Sequence, residues 1–260
     1  MKTQAEVCSV AARVLCRGRT RQAYRARIAA SIADVRAAQT LRFLVFNLEL
    51  NEGLEESFAT CLDADQFDGV CDHLLVEEMQ TRDIVGTYRL RSGTNAGLHL
   101  GYYSAQEFDM TPFEPVRPEL MELGRACVHS QHRNATVLGL LWRGIIAFAE
   151  DHGSRYLIGC SSLPTLDYRV GAAVYRQLSQ THLAPAEWQT QPWPAVACPL
   201  PETQPDGRAA QIPKLLAAYL SLGAKICGPP AIDRKFRTID FLTMMDLQSL
   251  PANAIARSLV

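Results

Sequence analysis

The most apolar stretch of the chain, Val137 to Ala149, sets the first constraint on its fold. It is shorter than the ~18 residues that span a bilayer, and Arg143 interrupts it. It therefore reads as a largely apolar helix continuing to Asp151, with Gly153 placed to close it in a left-handed C′ conformation. The apolar run Arg155–Cys160 follows at once, with the length of a buried strand. A helix feeding directly into such a strand points to helices packed on a sheet.

The rest of the chain extends that order. Tyr24 to Ala30 reads as a strand, and Ser31-Ile-Ala-Asp34 resembles a capping box with Asp in place of Glu. Val35, Ala38, Leu41, Val45 and Leu48 then recur at helical spacing until Asn51-Glu-Gly53. An acidic loop over 54–69 leads to two apolar runs, 72–77 and 84–91, joined by a short polar turn, which predicts a hairpin. A Gly- and Pro-containing loop precedes a strand over 119–128. After Cys160 come a helix near 171–180, a proline-rich loop over 184–207, a helix from Pro213 to Leu222, and strands over 224–227 and 239–245. No repeat or linker divides the chain. The expected class is α+β, with residues 1–20 a basic extension and 21–260 a single domain.

The formal net charge of −1 is a cancellation. Residues 1–42 carry +7, 43–124 carry −12 and 125–260 carry +4, a pattern suited to two differently charged substrates. Near-neutrality argues against a dedicated nucleic-acid binder. The eight cysteines form no C-x-x-C pair and the six histidines no zinc-finger spacing, so reduced, mostly buried thiols and no metal site are expected. Arginines 13, 17, 19 and 21 interrupt any secretory apolar region, and the expected location is cytoplasmic. Val7, Val10, Val14 and Leu15 lie near one helical face, so residues 1–20 read either as a packing extension or as an arm resting on anionic lipid.

Longer motifs carry a family resemblance. Leu41-Arg42-Phe43-x-x-Phe46, Asp65-x-x-Asp68, Gly86-Thr-Tyr-Arg89-Leu90 and Glu122-Leu-Gly-Arg125 occur in the order seen in acyl-homoserine-lactone synthases. Glu122 to His129 with His132-Arg-Asn134, Gly139-Leu-Leu-Trp-Arg-Gly144, Tyr156 to Ser162, Gly223 to Pro230 and Thr238-Ile-Asp-Phe241 resemble the bacterial L-ornithine N-alpha-acyltransferases. The resemblance implies a Gcn5-related N-acetyltransferase-like domain with a mixed, splayed central sheet flanked by helices. It also implies an activity: transfer of a 3-hydroxyacyl chain from the phosphopantetheine of acyl carrier protein to the α-amino group of L-ornithine, giving lyso-ornithine lipid, with no separate cofactor. Transfer to another amino acid such as glycine or tyrosine, a homoserine-lactone-synthase-like activity, and a non-catalytic acyl or carrier binder are the alternatives.

Glu122 and Arg125 have opposite parity on a regular strand. A bulge at Gly124 would bring both to one face and part this strand from its neighbour, opening a slot for a thioester. Glu122 is then the first candidate to accept the amine proton and His129 the second. Backbone N–H groups over 126–128 are candidate donors to the carbonyl oxygen, and Cys127 a candidate for a covalent acyl-enzyme. Residues 130–136 stand where coenzyme A-dependent relatives carry a glycine-rich pyrophosphate loop. The missing glycines favour carrier protein, with Arg133 as the phosphate contact. Arg133, Arg143, Lys225, Arg234, Lys235 and Arg237 are candidates for docking an acidic carrier. Glu52, Glu55, Asp63, Asp65 and Asp68 are candidates for the ornithine ammonium. Arg42 and Arg89 match family arginines expected to hold the acidic segment over the site, and Phe46 is a further candidate substrate contact.

Overall fold

The computed structural model describes residues 23–201 and 211–250. The predicted boundary at residue 20 and the lipid-facing reading of residues 1–20 lie outside these residues. Eight strands form one mixed sheet in the order β1-β2-β3-β4-β5-β8-β6, with β7 also paired to β8. The strands are β1 (Tyr24–Ile28), β2 (Asp72–Glu78), β3 (Ile84–Ser92), β4 (Leu120–Val128), β5 (Tyr156–Leu163), β6 (Lys225–Ile226), β7 (Ala231–Asp233) and β8 (Thr238–Asp246). All pairs are antiparallel except β4 with β5. Helices α1 (Ile32–Arg42), α2 (Gly93–Leu98), α3 (Ala135–Asp151), α4 (Tyr168–Ser179) and α5 (Lys214–Ser221) complete the α+β domain. No described helix is long and apolar enough to cross a membrane.

The apolar run that opened the sequence becomes α3. Asn134 caps it by accepting the Val137 N–H at 3.0 Å. Its residues Val137, Leu141, Ile145 and Phe148 bury against Leu74, Val76 and Leu90 of the sheet. Gly153 ends the segment with φ +65°. At the other end of the sheet, Val174 and Leu178 of α4 pack with Ile239 and Phe241 of β8 and Leu216 and Leu220 of α5.

Helix α1 starts much as its cap predicts. Ser31 Oγ accepts the Asp34 N–H at 3.2 Å, while Asp34 reaches back to Ala30 N at 2.8 Å. Beyond Arg42 the helix widens to π geometry over Phe43–Glu49, an uncommon winding often found where a helix shapes a site.

The loop expected over 93–118 is partly ordered: it contains α2 and 3₁₀ turns at Tyr103–Gln106 and Thr111–Glu119. In the second turn Pro112, Pro115 and Pro118 recur every three residues, matching the three-residue 3₁₀ period and placing the rings on one face. The three-residue strand β7 is too short to announce itself by periodicity.

Strands β4 and β5 part. Their ladder covers only Leu120–Glu122 against Tyr156–Ile158, whereas β5 stays paired with β8 from Tyr156 to Leu163. Past Glu122, β4 is held by β3 alone, and their register skips from Gly124 opposite Arg89 to Cys127 opposite Thr87. The extra residue of this bulge belongs to Arg125–Ala126, one step beyond the expected Gly124, and Arg125 has φ +50°. At the fork, a Cβ on Gly159 would stand 2.3 Å from the Leu123 carbonyl oxygen, so glycine is what lets β5 pass that close to β4.

Candidate active site

The fork opens a cleft of about 270 Å³ lined by residues of both strand parities. Leu123 and Leu157 face the α3 side and pack with its core, whereas Ile158 and Cys160 belong to the core on the opposite face. The cleft therefore runs through the sheet. Its α3-side wall is Tyr88, Leu123, Trp142, Leu157, Tyr219 and Met245. That wall is apolar apart from the hydroxyls of Tyr88 and Tyr219, which bond each other at 2.6 Å. The opposite mouth carries Tyr103, Ser104, Arg125, Asp233, Phe236 and Asp240.

The bulge turns Arg125 toward the same face as Glu122. Its guanidinium carbon stands 4.9 Å from the Tyr103 ring centroid and 4.3 Å from that of Phe236. Its nitrogens bond Asp63 at 3.2 Å and Asp65 at 2.8 Å. These contacts fix a non-glycine residue in a left-handed conformation that costs about 1–3 kcal/mol. Glu122 accepts N–H bonds from Tyr103 at 2.7 Å and Ser104 at 2.8 Å, plus the Ser104 hydroxyl at 2.6 Å. Both carboxylate oxygens thus clamp the 103–106 turn beside the cleft.

The acidic segment is drawn into a buried network. Arg42 is fully buried, bonding Asp63 at 2.8 Å and Asp68 at 2.7 and 2.9 Å. Arg89 bonds Asp65 at 2.6 Å and Asp68 at 3.1 Å, and Gln39 adds a bond to Asp68 at 2.9 Å. Burial pushes the Asp68 carboxyl up, but the Arg42 bonds and the charges of Arg42 and Arg89 outweigh it and hold the group well below the usual carboxylate range. Asp65 is lowered too: burial opposes, and the charges of Arg89 and Arg125 prevail. Three arginines face three aspartates, and none of Asp63, Asp65 and Asp68 lines the cleft. The expectation that they receive a substrate ammonium is corrected: arginines already engage them. Of the other acidic candidates, Glu52 lines the cleft and Glu55 is exposed.

Phe46, Arg89, Glu122 and Arg125 thus share the cleft, whereas Arg42, Asp65 and Asp68 act behind it. Three other candidates stand outside its lining. His129 caps a 3₁₀ turn at the β4–α3 corner, its ring 5.5 Å from that of His132. Arg133 spends its charge on Glu49 at 2.5 Å and donates to the Val128 carbonyl at 3.1 Å. Cys127 is buried with Leu41 and Val45, and burial pushes its thiol up to about 12. A thiol so protonated is a poor nucleophile, which removes the physical basis for a covalent acyl-enzyme. Cys127→Ala is expected to keep kcat/KM within about threefold and to trap no acyl-enzyme in rapid-quench mass spectrometry.

Four contributors had not been singled out as site residues: Tyr103 and Ser104, which hold Glu122, and Glu107 and Asp240. Glu107 sits in a turn with no periodic signal. Asp240 did leave one, as a lone carboxylate inside the apolar strand Thr238-Ile-Asp-Phe-Leu-Thr-Met-Met245.

Residues 41–143 match the acetyltransferase (GNAT) domain family. The chain is 34% identical over 248 residues to the L-ornithine N(alpha)-acyltransferase of Agrobacterium fabrum, covering 88% of this chain and 83% of that protein. It is 33% identical over 243 residues to the protein of the same name from Brucella abortus, covering 88% and 86%. The chain belongs to the L-ornithine N(alpha)-acyltransferase family. Two solved structures show the same fold at lower identity. The N-acyl amino acid synthase FeeM from uncultured soil microbes aligns with TM-score 0.53 at 12% identity over 89% of this chain and 94% of that one. TofI, in a ternary complex with an inhibitor and MTA, aligns with TM-score 0.51 at 15% identity over 91% and 100%. This member of the ornithine acyltransferase family is thus an acyltransferase with one splayed, mixed-sheet GNAT domain, as the sequence motifs implied.

Proposed function

We propose that this acyltransferase moves a 3-hydroxyacyl chain from acyl carrier protein to the α-amino group of L-ornithine, forming lyso-ornithine lipid at the cytoplasmic side of the cell. The observation that carries the reading is the likeness, over most of both chains, to relatives named for ornithine N-acylation. The cleft suits the chemistry. A channel through the sheet lets a thioester and an amine approach one carbon from opposite faces, converting a bimolecular step into an oriented one. The amine nitrogen bonds to the thioester carbonyl carbon, the C–S bond breaks, and the proton shed by nitrogen goes to the departing thiolate. Negative charge gathers on the carbonyl oxygen, beside the β4 edge that β5 has left, where main-chain N–H groups over 126–128 would stabilise it. The α3-side wall suits an alkyl chain, and the Tyr88–Tyr219 hydroxyls offer a partner to a hydroxyl on it.

Support for a carrier-borne donor comes from charge. Arg234, Lys235 and Arg237 are exposed on the turn joining β7 to β8, and exposed cations attract an acidic carrier by charge complementarity.

The test is incubation of the full chain with 3-hydroxyacyl carrier protein, or the matching coenzyme A thioester, and ornithine, glycine or tyrosine in turn, with products identified by mass spectrometry. Acyl-ornithine formed preferentially from carrier protein is the expected result. Preferential acyl-glycine or acyl-tyrosine overturns the acceptor, equal use of the coenzyme A thioester overturns the donor, and no product with any amine overturns turnover itself.

A further inference from the structure

Around the cleft most buried charges are paired off, and two neighbouring buried carboxylates are not. Arg42, Arg89 and Arg125 are matched by Asp63, Asp65 and Asp68. Arg91 is spent on main-chain carbonyls, among them Gly101 at 3.1 Å and His99 at 2.6 Å. Glu122 is satisfied by the 103–104 turn. Glu52 is only half-buried, which leaves as buried carboxylates Glu107, 5% exposed, and Asp240, 4% exposed. One ligand atom from each, with Cys160 Sγ, falls within 4.8 Å of the others. None of Arg42, Arg89, Arg91 and Arg125 forms a salt bridge with either carboxylate. Asp240 lines the cleft, and its Oδ1 has no hydrogen-bond partner. Asp233, at the same mouth, is turned to its own loop, its Oδ1 accepting N–H bonds from Lys235 at 2.7 Å and Phe236 at 3.0 Å.

A buried carboxylate pair without a cation is costly. Burial raises both carboxyls, and nearby negative charge adds to it: Asp240, Asp233 and Glu122 act on Glu107, and Asp233 acts on Asp240; the charge of Arg125 opposes the rise on both, and a Ser162 hydrogen bond opposes it on Asp240, without prevailing. An arrangement that destabilises the empty site is accounted for when a ligand supplies the missing positive charge. Two features give that ligand's chemistry. Asp240 stands at the polar mouth of the cleft, opposite the apolar wall, with Glu107 beside it just behind the lining, so the ligand belongs to the acceptor side. Cys160 is also raised well above the ordinary thiol range, chiefly by burial and then by Glu107 and Asp240. Its Sγ is already engaged by Ser104 Oγ at 3.4 Å, and the two carboxylates are the acceptors that an ammonium group takes.

We propose that Asp240 and Glu107 receive the side-chain ammonium of a diamino-acid acceptor, so that this enzyme selects amines with a second positive charge. The assignment rests on the ornithine reading above and deepens it by naming the groups that tell ornithine from a neutral amino acid. With the side-chain ammonium anchored on β8 and the 103–107 turn, the α-amine is left to meet the thioester at the fork.

The experiment compares ornithine with norvaline, which keeps the carbon skeleton and α-amine but lacks the terminal amine. Initial rates are measured with the same acyl carrier protein donor for wild type, Asp240→Asn and Glu107→Gln. Wild type is expected to favour ornithine in kcat/KM by about 10²-fold or more, because a site built to bond an N–H group rejects an analogue without it. In Asp240→Asn that ratio is expected to fall below about 10, mainly through a higher KM for ornithine. A merely structural role would lower both substrates together and keep the ratio, and that result overturns the proposal. Wild type using norvaline as well as ornithine overturns the ammonium site while leaving the ornithine reading intact, and needs no variant to fold. Turnover of neither amino acid overturns both. Plasma mass spectrometry covers the remaining case: a stoichiometric divalent metal, lost in Asp240→Asn, overturns the ammonium assignment in favour of a metal site.

Discussion

Replacing Arg42 with methionine is expected to destabilise the protein by about 3–5 kcal/mol, the usual cost of removing one partner from a buried ion network. Methionine fills much of the volume, so the loss is chiefly electrostatic. Asp63 and Asp68, both buried, would be stranded without their main cation. Denaturant unfolding reads the effect as a lower midpoint, and an unchanged midpoint would show that the network is not structural. A pH series adds a second readout. The Asp68 and Asp65 carboxyls are depressed in the folded protein. Their contribution is therefore fully present above the unfolded carboxylate value near ~4 and drains away as pH falls toward the folded values. In Arg42→Met the cation holding Asp68 down is gone, so the acid-side loss is expected to begin at higher pH than in wild type.

Glu122→Gln is expected to lower kcat by about 10²-fold, the scale on which small displacements of a positioned site are felt. A glutamine cannot accept at both ends: its amide nitrogen would face either the Tyr103 N–H or the Ser104 donors. The turn from Tyr103 to Gln106 would loosen, and with it Glu107 and the ring of Tyr103 that flanks Arg125. Because Glu122 acts through that turn, the shape of the kcat–pH profile is expected to persist as its height falls. Loss of the acidic limb would instead identify Glu122 as the group that takes the amine proton. Unfolding midpoints measured alongside separate the local loosening from a general loss of fold.

Much of the fold was legible because it rests on local signals. The cap at Ser31, the helical spacing through Leu48, the hairpin on either side of residues 80–83 and the apolar helix before Gly153 each follow from near neighbours along the chain. The bulge was legible in kind but displaced by one residue. Gly124 advertised backbone freedom, yet Arg125 took the left-handed conformation because Asp63, Asp65, Tyr103 and Phe236 hold its side chain there. None of those partners is adjacent to it in sequence.

What the sequence determined by itself was the order of elements, the family motifs and the block of negative charge between residues 43 and 124. What only the tertiary structure decided was which of those charges are free. The sequence offered Asp63, Asp65 and Asp68, together with Glu52 and Glu55, as receptors for a cationic amine, but folding sets three arginines from α1, β3 and β4 against the aspartates. The carboxylates left without an ion pair are Glu107 and Asp240, distant in sequence and brought together in the fold. Composition counts charges one residue at a time. Whether a charge is spent or available depends on what faces it across a few ångströms of low-dielectric interior, and that is settled only when the strands are in register.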